Sequence, residues 1–178
     1  LMAGPDGIDP YAVPVPVPSF DEVGGPIRGL RIGWGAEGPF APVSREVQAA
    51  VGRAALVLDG LGCNVDPVTL DTWEDLSGQD ISLTLYGSEA WHALEPMVSG
   101  HEEMLSPPIR SRFDGPKPSA EEYQQALEDC ESLRREVAKY FSEYDILLCP
   151  MNVVPAHPCD SPDLEVDGRR VPPRNSLR

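Results

Sequence analysis

The sequence predicts an α/β fold, and three features carry that prediction. A short β-rich run, Leu30-Arg31-Ile32-Gly33-Trp34, precedes an amphipathic helical pattern from Ser44 and a second extended run from Val65 to Leu70. Strand, helix and strand within about 40 residues, roughly 30–70, is the spacing of a βαβ crossover between parallel strands. A long helical pattern over 119–144 then leads into the apolar run Asp145 to Cys149, the pattern of a strand buried on both faces of a parallel or mixed sheet.

Each element has a local reason. Residues 1–28 carry Gly4-Pro5-Asp6-Gly7, Asp9-Pro10 and then Pro14, Pro16 and Pro18 alternating with valines. Alternate prolines impose an extended path and remove ladder donors, so an extended Pro-rich linker is expected there. The first strand is short and bounded by glycines. From Ser44 the apolar period changes to three and four, through Val47, Val51, Ala54, Leu58 and Leu61, which makes one stripe on a helix. Ser44 is the expected N-cap, and Gly60 and Gly62 suit a left-handed terminus.

Residues 80–105 are apolar enough for one helix, broken or kinked by Gly87, Pro96 and Gly100. Ser119-Ala120-Glu121-Glu122 is a capping box, and Tyr123, Ala126, Leu127, Cys130, Leu133, Val137, Tyr140, Phe141 and Tyr144 fall on one face beyond it. Glu131 and Arg135 stand in the favoured i,i+4 order. The helix is expected to run for about 40 Å. Asp160 to Arg174, with Pro162, Gly168, Pro172 and Pro173, shows no apolar period and reads as a surface excursion. The expected plan is therefore a linker (1–28), an α/β body (29–150) and a loop excursion (151–178). Neither end carries a start signal, a cap or a polar tail, so an internal piece truncated at both ends is expected.

Composition narrows the function. Apolar residues make up 41% and charged residues 24%, which argues against disorder along the whole chain. Of the 20 prolines, 15 cluster at 5–18, 107–118 and 150–173, punctuating the periodic segments. The formal charge of -15 opposes a phosphate backbone, and the densest basic pairs, Arg134-Arg135 and Arg169-Arg170, are flanked by acids, so no nucleic-acid partner is expected. Cys63, Cys130, Cys149 and Cys159 lack CxxC spacing and read as free thiols in a reducing compartment. No apolar run approaches the ~20 residues that span a bilayer and no leader pattern is present, so no membrane association and a cytoplasmic location are expected.

Several motifs fail on inspection. Gly33-Trp34-Gly35-Ala36-Glu37-Gly38 matches G-x-G-x-x-G, but Pro39 and Pro42 delay the helix that a pyrophosphate would need, so a strand-exit loop is favoured over a dinucleotide site. His101-Glu102-Glu103 lacks the second histidine of a zinc protease motif, since Leu105 stands there. Cys149, His157 and Cys159 lack a fourth ligand at matching spacing, and no metal is expected. His92 reads as a half-buried histidine in an amphipathic stretch. None of the 13 serines lies in a glycine-supplied turn that would expose a nucleophile, and Lys117 and Lys139 are not placed as desolvated bases.

Met2-Ala3-Gly4-Pro5-Asp6 with Asp9-Pro10, then Leu30-Arg31-Ile32-Gly33, then the Val47 helix ending Leu61-Gly62 before Val65, and finally Phe141-Ser142-Glu143-Tyr144-Asp145-Ile146-Leu147-Leu148-Cys149-Pro150, resemble the amidase signature family in order and spacing. The resemblance implies a mixed-sheet α/β/α fold and hydrolysis of a carbon–nitrogen amide bond through a serine acyl-enzyme, without a cofactor. In that family a Ser-Ser-Lys core upstream of the Gly-Pro-Asp segment does the chemistry, so no catalytic residue carries over to this chain. What the resemblance implies here is scaffold and part of a substrate wall in the loop after the Asp145 to Cys149 strand. Met151, Asn152 and Val153 are the expected substrate-binding residues. The expected partner is a small-molecule amide, with a homodimer left open. A non-catalytic protein-interaction module is the alternative, ahead of a dinucleotide-binding domain.

Overall fold

The computed structural model describes residues 5, 7–8, 12, 24–40, 42–70, 73, 76–110, 117–158, 161 and 163–171, so the expected linker over 1–28 falls largely outside the described residues. The β-prone run around Ile32 forms β1 (Arg31–Trp34), the middle strand of a three-stranded sheet. It pairs in parallel with β2 (Asn64–Pro67) on one side and β3 (Ile146–Leu148) on the other. Ile32 is almost wholly covered.

Between the first two strands runs α1 (Arg45–Gly60), because Ser44 adopts extended backbone and its hydroxyl accepts from the Val47 amide. Val51 and Ala55 are buried beneath it and Val47, Ala54 and Leu58 are half-buried, as the stripe predicts, while Leu61 beyond the helix is exposed. Gly62, at φ +89°, makes the left-handed turn into β2, whereas Gly60 stays helical. The strand expected to reach Leu70 stops at Pro67. Even so, the Val68 amide still donates to the Trp34 carbonyl at 2.9 Å.

The helical segment after β2, α2 (Gly78–Val98), is continuous, which corrects the break expected at Gly87 and Pro96. A Cβ at Gly87 would meet open space, and Pro96 lies two residues before the end, so the donor it lacks affects only the final turn. Gly100, at φ +80°, follows its end. After the short α3 (Pro107–Arg110), α4 (Ala120–Glu143) opens on the expected capping box, with Ser119 and Glu122 satisfying each other's backbone amides. Gly78 lies by Leu133, Glu89 by Tyr123 and Glu95 by Lys117, so α2 and α4 pack antiparallel. The expected Glu131–Arg135 pair is replaced by Glu131 with Arg134, one residue earlier, while Arg135 bonds Ser132.

The inner end of α4 fastens the sheet. Tyr140 is buried, and its hydroxyl lies 2.8 Å from the Ile146 carbonyl and 3.2 Å from the Gly33 carbonyl, joining β3 to β1. Burial pushes this phenol up to about 12. A Cβ at Gly33 would stand 2.3 Å from that hydroxyl, so the first glycine of the G-x-G-x-x-G run exists to admit a tyrosine. At the other end of the strands, Asp145 accepts from the Arg31 amide and guanidinium at 2.9 Å each, and the Asp145 amide donates to the Arg31 carbonyl at 2.8 Å. These Arg31 bonds hold the Asp145 carboxyl below the usual carboxylate range.

Two expectations about the last third are corrected. β3 is not buried on both faces: Ile146 is exposed and Leu147 and Leu148 are half-buried, and among the described residues no strand pairs with its outer edge. The excursion over 151–178 contains an antiparallel hairpin, β4 (Leu164–Val166) and β5 (Arg169–Val171), turned by Asp167 at φ +48° and Gly168 at φ +83°. Positive φ at both turn residues matches the right-handed twist of the strands, which is why Asp-Gly forms such turns. Leu164, Val166 and Val171 close with Val153 into a second small core. Among the described residues no helix is long and apolar enough to cross a membrane, and Cys63, Cys130 and Cys149 are free thiols.

Candidate functional site at the carboxyl end of the sheet

Parallel strands bring the loops that follow them to one edge, where open α/β sheets bind ligands. Gly35 to Phe40 leave β1 and Val68 to Leu70 leave β2, and a cleft of about 580 Å³ lies between them. Its size falls in the range of roughly 300–1,000 Å³ usual for small-molecule sites. Trp34, Ala36, Phe40, Val68 and Leu70 give it apolar walls, and Glu37, Gln48 and Thr69 supply polar groups. Phe40 and Leu70 belong to the main core with Val43 and Tyr140, so the floor is rigid. The amide nitrogen of Gln48 donates to the Val43 carbonyl at 2.9 Å, which fixes that side chain at the first turn of α1.

The backbone geometry explains the glycines of this loop. The Gly35 amide donates to the Leu148 carbonyl at 3.1 Å, and a Cβ on Gly35 would meet the Val68 carbonyl at 3.1 Å. Gly38 has φ +63° and opens a single 3-10 turn ending at Phe40, and the next helix waits until Arg45. No helix N-terminus follows the third glycine, so the run lacks the feature on which a dinucleotide pyrophosphate sits.

The residues expected to bind substrate stand at this same end, after β3. Met151 and Asn152 are exposed, whereas the Val153 side chain is wholly covered in the hairpin core. The Val153 carbonyl accepts from the Ser44 amide at 2.8 Å, tying the loop to the start of α1. None of the three lines the 580 Å³ cleft. Reading the strand ends of β1 and β2 as well as β3 is the signal that finds the cleft, since Trp34 and Phe40 are aromatic residues at a strand exit.

The cleft offers apolar walls and few charged groups. Among its lining residues there is no serine, cysteine, histidine, lysine or arginine, and Glu37 is the one ionisable group. Burial pushes the nearby Cys149 thiol up, which makes a thiolate scarce and disfavours it as a nucleophile. His92, expected to be half-buried, is exposed, as are His101 and His157. Cys159 lies outside the described residues, and among those described no three His, Cys, Asp or Glu side chains are grouped to hold a metal. Lys117 is engaged elsewhere, over the Trp91 ring at 4.5 Å and against Glu95 at 2.7 Å.

The amidase family model matches residues 1–171. The chain belongs to the amidase family. It is 30% identical over 158 residues to an amidase of Pseudomonas putida, covering 88% of this chain and 34% of that protein. Among solved structures it is similar to an inhibitor-bound protein of a vestigial complex described as revealing the evolutionary origins of an s-triazine catabolic enzyme. That match has 27% identity and a TM-score of 0.83, over 99% of this chain and 38% of the other. A solved amidase matches at 27% identity and a TM-score of 0.69, over 85% and 35% of the two chains. A bacterial aryl acylamidase of the amidase signature family shares the fold at 19% identity and a TM-score of 0.72, over 96% and 38%. The chain thus spans about a third of the length of these relatives.

Proposed function

We propose that this chain forms part of an amidase that hydrolyses a carbon–nitrogen amide bond, and that it supplies scaffold and one wall of the substrate pocket. The observation that carries the reading is a cleft of ligand size at the carboxyl end of an amidase-family parallel sheet, lined without a nucleophile. In the proposed reaction a serine hydroxyl contributed by polypeptide outside these 178 residues adds to the amide carbonyl. The amine leaves with a proton, and water then cleaves the resulting ester to release the acid and restore the serine. Met151 and Asn152 are proposed to form the rim of the pocket, with Val153 anchoring their loop. A cytoplasmic location is proposed on the free thiols.

The test is an assay of the purified chain on simple aliphatic and aryl amides. No hydrolysis by the chain alone is expected. Turnover that survives purification and disappears when one of its own serines is changed to alanine would overturn the assignment of the nucleophile to other polypeptide.

A further inference from the structure

We propose that the cleft between the β1 and β2 exits is the subsite for an uncharged or cationic aromatic group of the amide substrate, stacked on Trp34 and selected by Glu37. The inference rests on the amide-hydrolase reading above and specifies its substrate class. Three features of the cleft converge on it.

The first is shape. Trp34 is half-buried, and the outer ring of its indole lies over Gly52 of α1, whose Cβ position would be 3.9 Å from Cη2. The outer edge of the indole therefore reaches the helix, and Trp34 lines one side of the cleft. Phe40 and Leu70 form the floor, with Val68 beside them. A planar ring inserted there gains offset or edge-to-face contacts with two aromatic side chains, which a flexible aliphatic chain does not.

The second is charge. Glu37 is exposed at the cleft, and the lining residues include no lysine or arginine. A carboxylate on the ring would lose hydration beside a like charge with no counter-charge to replace the lost water. The chain as a whole, at -15, adds repulsion at longer range. A cation on the ring meets Glu37 favourably, and a neutral ring meets no penalty.

The third is hydrogen bonding. Gln48 uses its amide nitrogen on the Val43 carbonyl, which leaves Oε1 as the acceptor it offers to a donor on the ring. Thr69 adds a hydroxyl on the opposite loop. A ring bearing an N–H or ammonium group fits both polar groups and Glu37.

The test is a titration of the purified chain, followed by NMR at the Trp34 indole and the Gly35 and Thr69 amides, with four probes: benzamide, para-aminomethylbenzamide, para-carboxybenzamide and cyclohexanecarboxamide. Benzamide and the aminomethyl compound are expected to move these signals, with the carboxy compound about tenfold weaker. Glu37→Gln, at an exposed position, is expected to abolish the preference for the cation and to narrow the gap to the anion. Trp34→Ala is expected to lose binding, and should it fail to fold, Glu37→Gln and the probe series still decide. Equal binding of the carboxy compound, or of the cyclohexane compound at the same signals, would overturn the substrate class and leave the amidase reading standing. Amides that shift only the Met151 and Asn152 signals, or that shift none, would overturn the subsite and leave the amidase reading standing.

Discussion

At β1 the molecule is held by buried contacts: Ile32 covered on a central strand, and one tyrosine hydroxyl set between the Gly33 and Ile146 carbonyls. Along α2 and α4 the reverse holds. Ile81 and Ala126 are buried, but the contacts that join the helices include the exposed pairs Tyr123 with Glu89 and Lys117 with Glu95. The Ser88 hydroxyl is buried there without a hydrogen-bond partner among the described residues. A contact in water is replaced by solvent when it breaks, whereas a buried one leaves a clash or an orphaned polar group. The sheet edge that carries the cleft is therefore the rigid region and the helix pair the adaptable one.

Three substitutions test that contrast. Gly33→Ala drives a methyl into the Tyr140 hydroxyl and the Val68 side chain, and a loss of about 3 kcal/mol is expected in the unfolding free energy from urea titration. In a Tyr140→Phe background the same change should cost less, because the closest atom is gone. Tyr140→Phe alone keeps the ring stack on Tyr144 and the edge contacts to Trp73 and Phe141, and should cost about 1–2 kcal/mol.

Tyr140→Phe also changes the alkaline limb. The folded phenol titrates higher than the unfolded one, so its contribution is present below pH 10 and is lost as pH rises from there through about 12. Alkaline unfolding followed by circular dichroism should be shallower in the phenylalanine variant. An unchanged limb would locate the coupling elsewhere. Tyr123→Phe is expected to have the smallest effect, below about 1 kcal/mol, because both partners are accessible to water. A larger loss for Tyr123→Phe than for Tyr140→Phe would reverse the comparison.

What was legible in the sequence was local. Ser44 and Ser119 cap the helices they precede because a cap depends on three or four consecutive residues. The strand from Ile146 announces itself as an apolar run. The hairpin was missed because its strands are three residues each and the alternating Leu164, Val166 and Val171 are hidden among Glu165, Asp167, Arg169 and Arg170, with prolines on both sides. The Asp167-Gly168 pair was its one local sign. The cleft was illegible for a different reason, since Trp34 and Leu70 meet only when two strands pair in parallel across an intervening helix. Gly33 could be recognised as a constrained glycine, but its reason lies 107 residues away in Tyr140.

That separation has a consequence during synthesis. β1, α1 and β2 are complete by Pro67, and they form a two-stranded unit whose second edge must wait for β3. Arg31 and Asp145 are 114 residues apart, so at roughly 5–20 residues per second the edge of β1 stays uncovered for on the order of ten seconds. An open edge beside an apolar strand invites pairing with other chains, and a bulky residue at Gly33 would lengthen that interval by obstructing the tyrosine that closes it. The glycine thus leaves room for the tyrosine that closes this edge once synthesis reaches it.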